Sequence, residues 1–164
     1  MDTVELRRQL LEYATNERAV YEVVAVIGTT EEGAVDRITE IVKIRDELQA
    51  LGLSFVVHAD AAWGGYFASM LGSRSKSRDS DPDSFVPFVG LRTDTAKELE
   101  AFALTDSITI DPHKAGYVPY PAGGLCYKDG RMRYLVTWTA PYIDQGMTIG
   151  ESIGVYGVEG RYVS

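Results

Sequence analysis

Two side chains suited to covalent and ionic chemistry stand at the ends of apolar segments. Lys114 belongs to the stretch DPHK, which follows the apolar segment SITI, and Asp60 ends the apolar segment LSFVVHAD. An unprotonated lysine amine can attack an aldehyde, and burial or nearby dipoles favour that unprotonated form. A carboxylate at the end of an apolar strand needs a cationic partner or several hydrogen bonds. The two residues therefore indicate a site for a ligand with an aldehyde and a cationic group.

The segment DAAWGG, which begins at Asp60, favours a flat ring as that ligand. Its two alanines and two glycines leave room for a ring beside the carboxylate. A lysine bonded to an aldehyde at one end of a ring and a carboxylate against a protonated pyridine nitrogen at the other is the pyridoxal 5′-phosphate arrangement. The residues thus predict this cofactor.

Four apolar segments predict the strands that position these groups. Residues 21–28 (YEVVAVIG) and 53–60 (LSFVVHAD) are typical of strands buried on both faces, and residues 107–111 (SITID) form a third strand. The fourth strand, in GGLCYKD, follows a short, turn-like connection, which favours an antiparallel direction. The fold class is therefore α/β, with a mainly parallel sheet and one antiparallel strand.

Helices are predicted between and before these strands. Asp2 opens a first helix that reaches about Ala14, and residues 93–104 form another. Between the first two strands, Asp36 is expected to cap a helix that Gly52 ends. Strand, helix and strand then make a βαβ unit with a right-handed crossover. The serine-rich stretch 71–84 is expected to be an exposed loop.

Polar residues follow three of the predicted strands. Thr29 and Thr30 follow the first, His58 and Asp60 end the second, and DPHK follows the third. In open α/β sheets ligands bind beyond the carboxyl ends of the strands. If the strands are parallel, these groups meet at one edge of the sheet.

Composition limits the classes of function. The 164 residues suit one domain, and the net charge of −8, without a basic patch, argues against nucleic-acid binding. The single cysteine, Cys126, excludes a disulfide framework and makes the cytoplasm the expected compartment; a place in the apolar core is expected for it. No apolar stretch approaches the roughly 20 residues of a membrane span.

Four motifs, in this order and spacing, carry a resemblance to a known family: GTTEEGAVD, HADAAWGGY, DSITIDPHKAGYVPYPAGG and YGVEG. The sequence resembles the group II pyridoxal-phosphate-dependent amino-acid decarboxylases, and most closely the bacterial tyrosine decarboxylases. The resemblance implies the fold type I, transferase-like large domain. Residues 1–164 would be part of that cofactor-binding domain, without the family's N-terminal region and C-terminal small domain. The resemblance also implies that the full-length enzymes of the family are homodimers.

The resemblance assigns five residues to the cofactor. Lys114 would form the Schiff base, Asp60 would pair with the pyridinium nitrogen, and Ala62 would pack on the ring face. Thr30 would contact the cofactor or substrate near the aldehyde, and His113 would lie near the phosphate.

Two tyrosines are assigned to the substrate by the same resemblance. Tyr142, in TAPYID, would return a proton to the α-carbon after carbon dioxide leaves, and Tyr120 would lie near the bound substrate. The implied reaction is decarboxylation of an L-amino acid, expected to be an aromatic one such as tyrosine, to the amine and carbon dioxide. The resemblance therefore implies that the chain derives from a family of carboxy-lyases.

Several alternatives stay open at the level of sequence. The chain could be a truncated, catalytically incompetent remnant with at most weak cofactor binding, or a related fold type I carbon–carbon lyase. Asp60 could cap a turn, Tyr142 could be a packed loop aromatic, and the H-x-D and D-x-H patterns around His58 and His113 could bind a metal. The glycines near Thr29 match neither the Rossmann nor the P-loop spacing.

Overall fold

A four-stranded sheet is the centre of the computed structural model, which describes residues 1–74 and 90–135. The strand order is β1-β2-β3-β4; β1 and β2 are parallel, β2 and β3 are parallel, and β4 is antiparallel to β3. The mainly parallel sheet with one antiparallel strand is therefore confirmed. The strands are β1 (Glu22–Val26), β2 (Val56–Asp60), β3 (Ser107–Ile110) and β4 (Gly124–Tyr127).

Three α-helices accompany the sheet within these described residues, and each lies where the sequence predicts one. The third is followed directly by a 3₁₀ turn, Ala101–Leu104, which accounts for the longer helix predicted there. The expected exposed loop at 71–84 is wrong at its start: a 3₁₀ helix, Gly65–Arg74, includes Leu71, which packs against the core. Its remainder lies outside the described residues. The α-helices are α1 (Thr3–Thr15), α2 (Ile38–Gln49) and α3 (Thr93–Glu100).

The predicted helix ends are only partly correct. Asp2 caps α1, since its carboxylate accepts from the backbone N–H groups of Val4 and Glu5. Gly52, with φ at +88°, ends the turn after α2, a left-handed conformation that glycine adopts without strain. The prediction that Asp36 caps α2 is wrong. Its carboxylate instead accepts a hydrogen bond from the backbone N–H of Val26 at 2.8 Å. This bond links the segment just before α2 to β1.

Only one face of the sheet is covered in the part of the chain that the structure describes. Alternate residues of β1 and β2 are buried in a core to which α1 and α2 also contribute, and which includes Ala25, Val57 and Ala59, all at 0% exposure. The prediction that these two strands are buried on both faces is therefore wrong. The opposite side, called here the open face, includes Val24, Val56 and Leu125, which are 40%, 43% and 46% exposed, as well as His58, Asp60 and Thr109.

Cys126 was expected to lie in the core, and this expectation is wrong. The residue is exposed on β4. β4 is the last strand in the sheet order, two strands away from β2, against which α2 packs, so the core beneath that helix does not extend to Cys126.

No helix in residues 1–74 and 90–135 is both long enough and apolar enough to cross a membrane.

Candidate functional site

The loops after β2 and β3 meet at the carboxyl edge of the sheet. The strands are parallel, and Asp60 at the end of β2 is in register with Thr109 of β3. Just beyond the strands, the backbone N–H of Asp111 donates to the carbonyl oxygen of Ala62 at 3.2 Å. The Asp60 loop and the DPHK loop are therefore bonded to each other, as the parallel arrangement predicts.

Lys114 forms an ion pair within its own loop. Its Nζ lies 3.0 Å from Oδ2 of Asp111, and its side chain is 37% exposed, whereas that of Asp111 is 17% exposed. Nε2 of His113 lies 3.9 Å from the same carboxylate oxygen. Asp111 was not among the predicted site residues, although its i, i+3 spacing from Lys114 in a tight turn was a usable signal. The structure adds this carboxylate to the site.

His113 is held by contacts on two sides. Its Nδ1 is hydrogen-bonded to the carbonyl oxygen of Ala122, and since a carbonyl can only accept, Nδ1 carries the proton. Its ring lies against the ring of Tyr120, with centroids 3.9 Å apart and planes at 33°. Tyr120 is itself 76% exposed. The structure thus brings Lys114, His113 and Tyr120 together around one loop.

Asp60 uses one carboxylate oxygen locally. Oδ1 accepts from the backbone N–H of Ala62 at 3.3 Å, so the alternative that Asp60 caps a turn is correct for this oxygen. No protein hydrogen bond to Oδ2 occurs within residues 1–74 and 90–135. Asp60 and Ala62 both keep part of their surface accessible. The carboxylate can therefore accept a further donor or pair with a cation.

The glycines after Asp60 have a different role from the one expected. A Cβ on Gly64 would lie 2.3 Å from the carbonyl oxygen of Ile27, and one on Gly65 would lie 2.9 Å from the side chain of Ile110. Ala61 is fully buried. These small residues let the chain pack closely against the ends of β1 and β3, so they do not leave room for a ring. Ala62 alone keeps the accessibility that such a contact needs.

The threonines after β1 differ in their surroundings. The hydroxyl of Thr29 accepts from the backbone N–H of Ala34 at 2.9 Å and lies 3.3 Å from a carboxylate oxygen of Glu32. Thr29 thus stabilises the turn after β1. Thr30 is exposed, and no side-chain bond to it exists within the described residues. Tyr142 lies outside the described residues.

His58 belongs to a hydrogen-bonded group that the sequence did not reveal. Its Nδ1 lies 2.7 Å from Oγ of Ser107, and its Nε2 lies 3.1 Å from Oγ1 of Thr109. Both nitrogens therefore have hydroxyl partners on β3. Within the described part of the chain, no three histidine, cysteine or acidic side chains are placed to hold a metal ion.

Lowered carboxyl pKa values occur away from this edge, on exposed turns and helix faces. Hydrogen bonds from Arg8 and Gln9 lower the pKa of Glu5 to about 2. A hydrogen bond from Arg131 likewise lowers the pKa of Asp129 to about 2. Both groups are on the surface, so these shifts report local ion pairs and carry no argument for catalysis.

Two surface hollows also lie apart from the predicted site. One, of about 430 Å³, includes Arg45 and Asp106 in its lining, and their 3.0 Å ion pair lies at the opposite end of the sheet. The other, of about 520 Å³, lies between α2 and α3 and includes Arg37 and Lys97. Neither lining contains a residue predicted to bind the cofactor or the substrate.

Sequence comparison identifies relatives of known activity. The chain is 39% identical over 178 aligned residues to an L-tyrosine decarboxylase of Levilactobacillus brevis, an alignment that covers 98% of this chain and 27% of the relative. It is 38% identical to an L-tyrosine decarboxylase of Enterococcus faecalis, covering 98% of this chain and 28% of the relative. The chain therefore spans about a quarter of the length of these relatives. No protein-family profile matches the sequence.

Solved structures share the fold. Mouse CSAD aligns with a TM-score of 0.53 and 25% identity, over 79% of this chain and 22% of that one. The glutamate decarboxylase domain of a Vibrio parahaemolyticus enzyme aligns with a TM-score of 0.55 and 24% identity, over 83% of this chain and 24% of that one. The chain is therefore homologous to a segment, about a quarter in length, of the L-tyrosine decarboxylases, which belong to the group II pyridoxal-phosphate-dependent decarboxylases of fold type I.

Proposed function

We propose that the chain is part of a pyridoxal-phosphate-dependent carboxy-lyase that converts an L-amino acid, with L-tyrosine the expected substrate, to the amine and carbon dioxide. The observation that carries the proposal is the bond from the Asp111 N–H to the Ala62 carbonyl. It joins the loop of Asp60 to the loop of Lys114, the two residues that such a cofactor requires. The tyrosine decarboxylases among the relatives support the reaction class.

The residues at this edge fit the cofactor. Asp60 has a carboxylate oxygen available for a cationic ring nitrogen, and half-buried Ala62 offers a small apolar surface beside it. Lys114 supplies the primary amine on the neighbouring loop. A rice TDC structure of the same fold, with a TM-score of 0.55 and 20% identity, was solved with PLP. When bound, pyridoxal phosphate supplies an aldehyde for a lysine and an electron-accepting ring.

The chain's own groups then act in distinct ways. Lys114 must leave Asp111 and lose a proton before its nitrogen lone pair can form a bond. Asp60 holds negative charge at the end of β2 and favours a protonated base opposite it. His113 has its ring fixed by Ala122 and Tyr120, and its Nε2 lies 3.9 Å from the Asp111 carboxylate; it is proposed to lie near the phosphate. Thr30, exposed after β1, is proposed to contact the cofactor or substrate near the aldehyde.

Substrate recognition is proposed to involve two tyrosines. The exposed ring of Tyr120 is available for contact with an aromatic substrate next to His113. Tyr142 is proposed to return a proton to the substrate α-carbon, a role that rests on the family resemblance.

A second candidate is a cofactor-binding segment that needs further polypeptide before it can catalyse. Two observations favour it: the chain spans about a quarter of its relatives' length, and the open face leaves Val24 and Val56 in contact with solvent. Catalysis depends on water exclusion and fixed substrate geometry, which an open site supplies poorly. We propose residues 1–164 as part of the large domain of a cytoplasmic homodimer, in which the missing surfaces come from other polypeptide.

Borohydride reduction of the protein mixed with pyridoxal phosphate tests the cofactor site. Peptide mass mapping should find the modification concentrated on Lys114 and lost in Lys114→Ala. Lys128→Ala is a matched control, because Lys128 is exposed just after β4 and away from the DPHK loop. Modification spread evenly over surface lysines would contradict the cofactor site.

Carbon dioxide release from L-tyrosine separates the two candidates. Release by the unmodified chain, abolished in Lys114→Ala, supports the enzyme. Specific modification of Lys114 without release supports the cofactor-binding segment, and addition of the polypeptide that completes the domain should then restore release.

A further inference from the structure

We propose that Asp111 is the positioning residue of Lys114: its carboxylate holds the amino group in an ion pair within the DPHK loop until a ligand displaces it. The role given to Lys114 rests on the proposed function. The assignment of Asp111 goes beyond that function, since the resemblance gives this residue no role.

The ion pair is short and more enclosed than a second lysine ion pair among the described residues. Nζ of Lys114 lies 3.0 Å from Oδ2 of Asp111, and the two side chains are 37% and 17% exposed. The pair between Lys43 and Glu40 on α2 has the same i, i+3 spacing and a similar distance, 3.1 Å, but its side chains are 65% and 39% exposed. Because enclosure reduces solvent screening, Asp111 should act on its lysine more strongly than Glu40 does.

Asp111 is fixed on several sides, whereas the lysine side chain is not. The backbone N–H of Asp111 donates to the Ala62 carbonyl at 3.2 Å, and its own carbonyl accepts from the backbone N–H of Lys114 at 3.0 Å. A Cβ on Gly123 would lie 3.4 Å from Oδ1 of Asp111, so the carboxylate lies directly against that backbone. The carboxylate is thus a fixed anchor, and release of Lys114 requires only rotation of the lysine chain.

Two cationic or titratable groups face the Asp111 carboxylate among the described residues. These are the Lys114 ammonium at 3.0 Å and Nε2 of His113 at 3.9 Å. An anionic ligand that approaches His113 would compete with Asp111 for both groups. Its arrival would therefore draw the Lys114 side chain out of its ion pair with Asp111.

Trace acylation with acetic anhydride measures this effect without any cofactor. The rate at each lysine, read by peptide mass spectrometry, reports how available its amine is, because an amine held in an ion pair reacts more slowly. We expect Asp111→Asn to raise the Lys114 rate at pH 8 by roughly three- to ten-fold. We expect Asp111→Glu, which keeps the charge, to stay closer to the wild-type rate. The matched change Glu40→Gln should alter the Lys43 rate by less than about two-fold.

Unfolding is controlled within the same experiment. A loss of structure in Asp111→Asn would change the circular dichroism spectrum, which must otherwise match that of the wild type. If Asp111→Asn does lose structure, the proposal is tested instead by the Lys114 rate in Asp111→Glu and by the salt dependence of that rate in the wild type. An Asp111→Glu rate equal to that of Asn, or a Lys114 rate that high salt does not increase, overturns the proposal.

The acylation result is also independent of the proposed function. An unchanged Lys114 rate in folded Asp111→Asn disproves the role of Asp111 even where pyridoxal phosphate modifies Lys114. An increased rate supports that role even where the cofactor does not bind.

Discussion

The carboxylate of Glu98 on α3 accepts two hydrogen bonds from Thr39 in the first turn of α2, from the backbone N–H at 2.9 Å and from the hydroxyl at 2.8 Å. Glu98 is only 7% exposed. The first N–H groups of a helix have no partner within the helix, and a negative charge there is favoured by the helix dipole. Glu98, which is 59 positions from Thr39 in the chain, therefore caps α2, the role that the sequence predicted for Asp36.

Glu98→Ala should lower the free energy of unfolding by about 1–3 kcal/mol, because it leaves the partly buried N–H and hydroxyl of Thr39 without their acceptor. Urea denaturation followed by circular dichroism measures the change. Glu100→Ala is the matched control, since Glu100 is exposed on the same helix, and its effect should stay within about 0.5 kcal/mol. Equal effects of the two variants would contradict the capping role.

Gly64→Ala should destabilise the protein more than Gly52→Ala. A Cβ on Gly64 would lie 2.3 Å from the Ile27 carbonyl oxygen, so the backbone must shift, at a cost of about 2–3 kcal/mol or more. A Cβ on Gly52 has nothing within 4 Å, and only its φ of +88° opposes alanine, at a cost of about 1–2 kcal/mol. Thermal unfolding of both variants provides the comparison. A smaller loss for Gly64→Ala than for Gly52→Ala would show that the turn after β2 is less tightly packed than described.

The two faces of the sheet should respond differently to truncation. Val57 is fully buried beneath the helices, so Val57→Ala should cost about 2 kcal/mol of unfolding free energy. Val24 is 40% exposed on the open face, so Val24→Ala should lower the free energy of unfolding by less than about 1 kcal/mol. Denaturant titrations of the two variants test this order. Equal losses would mean that other polypeptide covers the open face in solution.

Acid titration of Glu5 should give a low midpoint that depends on Arg8. Hydrogen bonds from Arg8 and Gln9 lower the pKa of Glu5 to about 2, from an ordinary value of 4.5. The stabilising contribution is therefore fully present above pH 4.5 and is lost as pH falls through about 2. NMR of the side-chain carboxyl should show the midpoint rise toward 4.5 in Arg8→Gln. Because the pair is exposed, high salt should reduce the difference between the two proteins.

The local chemistry of the sequence was sufficient to predict the strands, the helices and the loops that carry the predicted site. Valine-rich runs, Asp2 at a helix start and Gly52 after a helix end each act within a few residues, so their patterns are readable without a fold. The short turn-like connection before β4 likewise predicted its antiparallel direction, and parallel β2 and β3 explain why Asp60 and the DPHK loop share an edge.

The helix cap, the packing of the glycines and the burial of the sheet faces were decided by contacts between distant segments. The energies of these contacts depend on which surfaces the fold brings together. Glu98 caps α2 in place of Asp36, and Gly64 packs against Ile27 where the sequence suggested space for a ring. Apolar runs in β1 and β2 could not reveal that one face is open here, since a strand's composition does not specify what covers it. The DPHK sequence supplied both Asp111 and Lys114, but only the folded turn brought their charges to 3.0 Å.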